Sequence, residues 1–365
     1  MSDPATALTA ELVAQIKQQG PMSLEAYMGA CLRSYYAETP VFGQQGDFIT
    51  APEISQIFGE LLGLWAVVAW QAMGSPERVL LVEAGPGRGT LMADALRALA
   101  PVPAFAQAAQ VHLVETSPSL RQKQAAVLAD AVEAGRVTWQ DRLEDLPRDA
   151  PILLLANEFL DALPIRQFQR LEAGWAERLV GLTEDGAGFC WRLGPVVPDG
   201  PEGVAEAVIA QAKPGDFVET CPQARQAVRH LAARIAAQGG AALFIDYGPG
   251  HSAPGDSFQA VQGHRFVDPF AAPGSADLTA HVDFETLARL ARSEGVVVDG
   301  PVQQGVFLLR LGIEARGGQL ISQATEKQAD QVRNAVRRLI DPDKMGILFK
   351  VMALRHPSMP GLPGF

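Results

Sequence analysis

With 365 residues, 48% hydrophobic and 19% charged, the chain has enough apolar material for one large core with insertions or for two domains. Its net charge of −11, with no Lys/Arg-rich run, excludes a polyanion as the expected partner, so no nucleic acid is expected. The three cysteines, Cys31, Cys190 and Cys221, are far apart and form no CxxC pair, which points to neither a disulfide framework nor a metal site.

Met1 to Gly20 carries acids, no arginine and no apolar h-region, unlike a secretory signal or a mitochondrial transit peptide. The longest apolar window, Leu61 to Met73, is too short to cross a membrane and contains Gln71, so no membrane insertion and a cytoplasmic location are expected. Residues 7 to 38 read as helical: Leu8, Leu12 and Ile16, then Leu24, Tyr27, Met28 and Leu32, recur at three- and four-residue spacing. Ser23 is placed to cap the second helix after the Gly20-Pro21 break. Residues 39 to 50 read as a loop, and a helix follows from Pro52 to Met73, whose apolar stripe suits the core or a homodimer contact equally.

Next comes Val79-Leu80-Leu81-Val82-Glu83-Ala84-Gly85-Pro86-Gly87-Arg88-Gly89-Thr90, then Leu91, Met92 and Ala95 at helical spacing. Strand, glycine turn and helix in this order bring bare backbone N–H groups up to a ligand. A dinucleotide fingerprint starting at Gly85 needs glycine at 90, where Thr90 stands. The observed Glu-x-Gly-x-Gly-x-Gly resembles instead the first motif of methyltransferases that use S-adenosylmethionine (SAM). Gly85, Pro86, Gly87, Gly89 and Thr90 are therefore expected at the cofactor, and Glu83 either orients the turn or binds the ligand's ammonium.

Further on, strands alternate with helices. Val111 to Val114 is a strand ending at Glu115, 119 to 130 a helix, 136 to 139 a short strand and 151 to 156 a buried strand. Residues 222 to 238 form a helix and 241 to 245 another buried strand. Continuous apolar strands between helices mean a parallel sheet covered on both faces. Residues 165 to 195 alternate, with a turn at Glu184-Asp185-Gly186, and predict inserted antiparallel hairpins. Residues 247 to 278, rich in Gly, Pro, His and Asp, read as a long loop. Residues 295 to 298 and Val306 to Leu311 are expected to form a final hairpin.

Several polar groups fall at the carboxyl edge of this sheet. Glu115 follows the second strand, where a carboxylate can accept both ribose hydroxyls. Asp141 and Leu143 follow the third, at an adenine-reading position. Asn157-Glu158, with Asp161 three residues on, follow the fourth. Paired carboxylates there suit a guanidinium acceptor, binding it bidentately and offsetting its charge in a one-step displacement governed by alignment. The bland alternative has Asn157 capping a helix with Glu158 and Asp161 in its first turn. Asp246 and Tyr247 end the fifth strand and, with His281, are expected to bind the substrate. His251 and His264 sit nearby in the chain at irregular spacing that argues against a metal.

Taken together, Gly46 to Ser55, Glu83 to Thr90, Asn157 to Pro164, Ile245 to Gly248, Asp277 to Phe284 and Met345 to Lys350 resemble the MidA-type methyltransferases, the family of the mitochondrial complex I assembly-factor methyltransferase. The match runs from about residue 20 to 355; Ala51 stands where the family pattern has Ser, and Ser34 where it has Gly. The resemblance implies a Rossmann-like class I methyltransferase sheet with an N-terminal helical segment and an inserted antiparallel β/α subdomain. It also implies SAM as cofactor, with Thr50 and Asn157 near it, and Glu158, Asp161 and Asn157 as catalytic residues. The implied reaction is methylation of an arginine on the 49-kDa-type subunit of respiratory complex I, or its bacterial counterpart, during assembly. Domain boundaries follow: 1–75 helical with a cofactor-covering loop, 76–164 and 222–365 the SAM-binding core with a loop insertion at 247–278, and 165–221 the inserted subdomain. The competing classes are a SAM-bound assembly chaperone whose catalysis is incidental and a small-molecule methyltransferase. A nicotinamide dehydrogenase is disfavoured by Thr90.

Overall fold

A computed structural model describes residues 4–38 and 50–365. Its contacts divide the chain into two compact units: Met1–Phe48, Asp161–Gln226 and His251–Thr286 in one, Ile49–Leu160, Ala227–Gly250 and Leu287–Phe365 in the other.

The second unit is built on a seven-stranded sheet: β1 (Val79–Ala84), β2 (Ala109–Val114), β3 (Val137–Gln140), β4 (Ile152–Asn157), β5 (Gly240–Tyr247), β6 (Val297–Gln303) and β7 (Phe349–Arg355). The order is β6-β7-β5-β4-β1-β2-β3. β1 to β5 run parallel, and β7 lies antiparallel between β5 and β6. Every residue of β1, β4 and β5 is buried, which accounts for their unbroken apolar runs. The order reverses between β1 and β4, so ligands are expected at the carboxyl ends of these two strands.

The expected final hairpin is corrected here. Its first half is β6, but Gln304–Arg310 is a helix, with Phe307 and Leu308 buried and Val306 and Leu309 exposed. A short apolar run does not distinguish a strand from a buried helix. The antiparallel closing strand is β7 instead. The expected helix from 52 to 73 is two helices, Ala51–Ile54 and Gln56–Ala72, because Ser55 is extended (φ −159°, ψ 134°) and its hydroxyl caps the Ile57 N–H.

Helix Gln56–Ala72 packs through two glycines against the helix Thr90–Leu99 that follows the glycine turn. A Cβ on Gly59 would meet Asp94 Cβ at 2.6 Å, and one on Gly63 would meet Ala95 Cα at 2.8 Å. Both are shorter than side chains tolerate, so glycine sets how near the helices lie. Gly63→Val is expected to lower stability by about 2–3 kcal/mol, overpacking outweighing the fraction of a kcal/mol gained in helix propensity. A denaturant midpoint shifted with unchanged slope is the check.

In the first unit, Gly174–Leu182 pairs antiparallel with Met22–Ser23, Arg166–Leu171 and Phe189–Val197, and Arg166–Leu171 pairs with Phe217–Thr220. The expected hairpins over 165 to 195 are therefore present. Helices Pro4–Gln19 and Leu24–Glu38 bring Leu12, Tyr27 and Met28 into a core with Val180 and Leu278. The expected loop at 247 to 278 is corrected as well: Gln259–Gln262, Arg265–Val267 and Asp277–Thr279 form a small antiparallel sheet. Gly263 (φ 56°) and His264 (φ 61°) make a two-residue hairpin turn of the primed kind, so His264 is a turn residue.

Candidate active site

The glycine turn is closed by Gly89 N–H donating to Pro86 O at 2.7 Å and opens with Gly85 N–H on Val114 O at 3.2 Å. Gly85, Gly87 and Gly89 have φ of 66°, 53° and 86°, left-handed values that favour glycine. A Cβ on Gly85 would also lie 3.1 Å from the Phe159 ring. Gly89 is the N-cap of Thr90–Leu99 and offers no side-chain cap, which leaves helix N–H groups at the turn. Glu83 is buried under this turn and accepts the Met92 N–H, yet its Oε2 has no partner among the described residues. Burial pushes its carboxyl up to about 8, against the lowering effect of that N–H. A buried carboxylate oxygen beside exposed helix N–H groups fits the ammonium and carboxylate of a SAM methionine moiety.

Glu115 lies past β2 as expected. Its Oε1 accepts the Ser117 N–H at 2.8 Å and its Oε2 the Gln124 amide at 3.2 Å, leaving each oxygen a further lone pair for a ribose diol. Burial raises its carboxyl, opposed by these donors. Gln124, which the sequence reading missed, is the hub here. Fully buried, it donates to Gly87 O at 2.7 Å and accepts the Trp139 indole N–H at 2.8 Å. Nothing but a polar residue on the inner face of its helix announced it. Asp141 is exposed and held by Arg121 at 2.6 Å, while Arg121 Nε also donates to Glu115 O at 2.8 Å. Leu143 is buried at the start of a short 3-10 turn.

At the end of β4, Asn157 and Glu158 are brought together: the Asn157 amide donates to Glu158 Oε1 at 3.0 Å. The same oxygen accepts the Ala51 N–H at 3.0 Å, and the Glu158 N–H donates to Ile245 O at 2.9 Å. Asn157 Oδ1 is buried without a partner among the described residues. Burial raises the Glu158 carboxyl; the Ala51 N–H, the Asn157 amide and the charge of Arg338 oppose it. Glu158 has φ 51°, a strained value for a side chain of its size and of a kind concentrated at functional sites. No helix follows Asn157, so the capping alternative is set aside.

Asp246 is buried at the end of β5, its two carboxylate oxygens accepting the Leu160 and Tyr247 N–H groups at 2.8 and 2.9 Å. That is the arrangement of a loop anchor. Tyr247 is buried with its ring 5.6 Å from that of Phe349. Thr50 is the N-cap of Ala51–Ile54 and makes no side-chain cap bond; the rest of its motif, residues 46 to 49, lies outside the described residues. Asp161 and His281 belong to the first unit. There Asp161 is buried and its carbonyl accepts the Ala280 N–H at 3.1 Å, while His281 is exposed and its N–H donates to Ser257 Oγ at 2.9 Å.

Comparison with known proteins bears on this geometry. Residues 61–302 match the family described as "Putative S-adenosyl-L-methionine-dependent methyltransferase". The mitochondrial protein arginine methyltransferase NDUFAF7 of Danio rerio is 38% identical over 95% of this chain and 86% of its own length. The Homo sapiens protein of the same name is 37% identical over 96% and 84%. A Burkholderia thailandensis crystal structure with bound S-adenosyl-homocysteine superposes with a TM-score of 0.82 at 29% identity, covering 99% of this chain and 94% of that one. The chain belongs to this family of S-adenosyl-L-methionine-dependent methyltransferases.

Proposed function

We propose that the enzyme methylates an arginine of a protein substrate, the 49-kDa-type subunit of respiratory complex I or its bacterial counterpart, during assembly and in the cytoplasm. The observation that carries this reading is the strained Glu158 carboxylate beside Asn157 at the switch point of the sheet. The relatives named protein arginine methyltransferases support the arginine. SAM, when bound, supplies an electrophilic methyl on a sulfonium. Backbone N–H groups of Gly87, Arg88 and Thr90 would hold its carboxylate, Glu83 its ammonium and Glu115 its ribose, and Asp141 and Leu143 would border its adenine, with Thr50 nearby.

Glu158 aligns the acceptor guanidinium and offsets its charge, assisted by Asn157. A guanidinium keeps its proton at pKa above about 12, so proton loss accompanies or follows transfer and Glu158 serves as an electrostatic partner rather than a free base. Asp246 and Tyr247 border the substrate chain, with Asp246 also anchoring the backbone at Leu160 and Tyr247. In this reading residues 76–164 and 222–365 are the SAM-binding core, 1–75 an N-terminal helical segment and 165–221 an inserted subdomain. Among the described residues no helix is long and apolar enough to cross a membrane.

The test is tritium-methyl transfer from SAM into an extract lacking the enzyme, followed by hydrolysis and amino-acid analysis. Label in methylarginine of one large polypeptide is the expected result. Label confined to small molecules, or to another amino acid, would overturn the arginine reading.

A further inference from the structure

The single helical turn Ala51–Ile54, before helix Gln56–Ala72, is tied to both halves of the site. Glu53 and Ile54 N–H groups donate to Thr50 O at 2.9 and 3.2 Å, and Pro52 stiffens the turn. From it the Ala51 N–H reaches Glu158 Oε1 at 3.0 Å. Two residues on, Glu53 Oε1 accepts the Thr90 hydroxyl at 2.6 Å, and Glu53 Oε2 lies 3.5 Å from Arg88 Nη1. Arg88 is inside the glycine turn and Thr90 opens the helix behind it. One short segment therefore touches the donor turn through a carboxylate and the acceptor carboxylate through a backbone N–H. Ala51 is fully buried and the Glu53 side chain is 17% exposed, so neither contact is a loose surface pairing.

The plainer account of Glu53 is an acid in the first turn of a helix, favoured by the dipole. Its hydrogen bond goes elsewhere, to the hydroxyl of Thr90 on another helix. Thr90 has one hydroxyl proton, and Glu53 takes it, which fixes the rotamer of the first residue after the glycines. We propose that Glu53 is a positioning residue, and that Thr50–Ile54 is a brace holding the SAM turn and Glu158 in one register. This rests on the reading of Glu83 to Thr90 as the cofactor turn and of Glu158 as the acceptor's carboxylate. The brace makes the two sites energetically dependent, since displacing either end of a rigid turn displaces the other.

SAM is titrated by calorimetry against the full chain carrying Glu53→Ala, Glu53→Gln, Thr90→Val and the Glu53→Ala/Thr90→Val pair, and methyl transfer is measured for each. Glu53→Ala is expected to weaken SAM about tenfold and to lower kcat about tenfold at saturating SAM, because Ala51 loses its register to Glu158. Glu53→Gln, which keeps an acceptor for the Thr90 hydroxyl, should recover most of the SAM affinity. The pair should bind SAM no worse than about the weaker single variant. SAM affinities within twofold of wild type in both single variants, or losses that multiply in the pair, would overturn the proposal. Should Glu53→Ala not fold, Glu53→Ser, whose short side chain cannot reach the Thr90 hydroxyl, paired with Thr90→Val completes the same cycle. The SAM titrations need no acceptor, so an acceptor other than arginine leaves them standing. Loss of SAM binding by wild type would instead sink the reading of the turn.

Discussion

Glu158→Gln is expected to lower methyl transfer by about 10²–10³-fold in kcat while changing SAM affinity by less than about threefold. The substitution keeps the shape of the side chain and an oxygen for the Ala51 and Asn157 donors, and removes only the charge. If the group were structural, the amide would serve nearly as well. A guanidinium acceptor makes the charge matter: it stays protonated until the methyl bond forms, and a carboxylate offsets the cation that alignment brings against a sulfonium. Single-turnover transfer with calorimetric SAM binding is the measurement; a kcat within about threefold of wild type would remove Glu158 from the chemistry. Glu158→Gly separates strain from function. Glycine accepts φ 51° without penalty, so the backbone gains on the order of 1 kcal/mol, roughly offsetting the hydrogen bonds lost, and Tm should barely move while transfer collapses.

Glu83 produces the second large effect, through pH. Its carboxyl is pushed up to about 8 in the folded chain, chiefly by burial, against an ordinary value near 4.5. Between those two values the folded state holds a proton that the unfolded chain has released. Its contribution to stability is therefore fully present below about pH 4.5, falls as pH rises, and is lost above about 8. The slope approaches 1.4 kcal/mol per pH unit. Glu83→Gln, neutral at every pH, should remove that slope, and the wild-type minus variant difference in denaturant stability between pH 5 and 8 measures it.

Cofactor binding draws on the same proton. An ammonium placed against Glu83 favours the carboxylate, so SAM binding near pH 6.5, where its own amine stays charged, should release close to one proton. Calorimetry in two buffers of different ionisation heat reads this directly. No release in wild type, or equal release in Glu83→Gln, would assign Glu83 to orienting the turn alone.

Much of the donor side was legible in the residues because its signals are local. Four apolar residues, an acid and alternate glycines specify strand, turn and helix whatever surrounds them, and the left-handed φ values at Gly85, Gly87 and Gly89 are what that spacing requires. The same holds for helix Pro222–Gln238 and for the alternation that made antiparallel strands of 166 to 197. Errors arose where an element depends on a distant partner. Val306 to Leu311 and Phe349 to Arg355 are both short and mostly apolar; only the second finds a place, pairing Ala241 with Arg355 and Tyr247 with Phe349 between β5 and β6.

By itself the sequence determined the family, the methyl donor, and that a carboxylate stands at the end of the fourth strand. Each is written in neighbouring residues, where backbone sterics and hydrogen-bond reach act over a few positions. Tertiary structure alone decided what those groups do with one another. It made Gln124 the link between the glycine turn, Glu115 and Trp139, set the Leu160 N–H group on Asp246, and put Glu53 on Thr90 and Ala51 on Glu158. Those contacts join residues from 9 to 107 positions apart in the chain, at separations of about 3 Å that no local periodicity encodes.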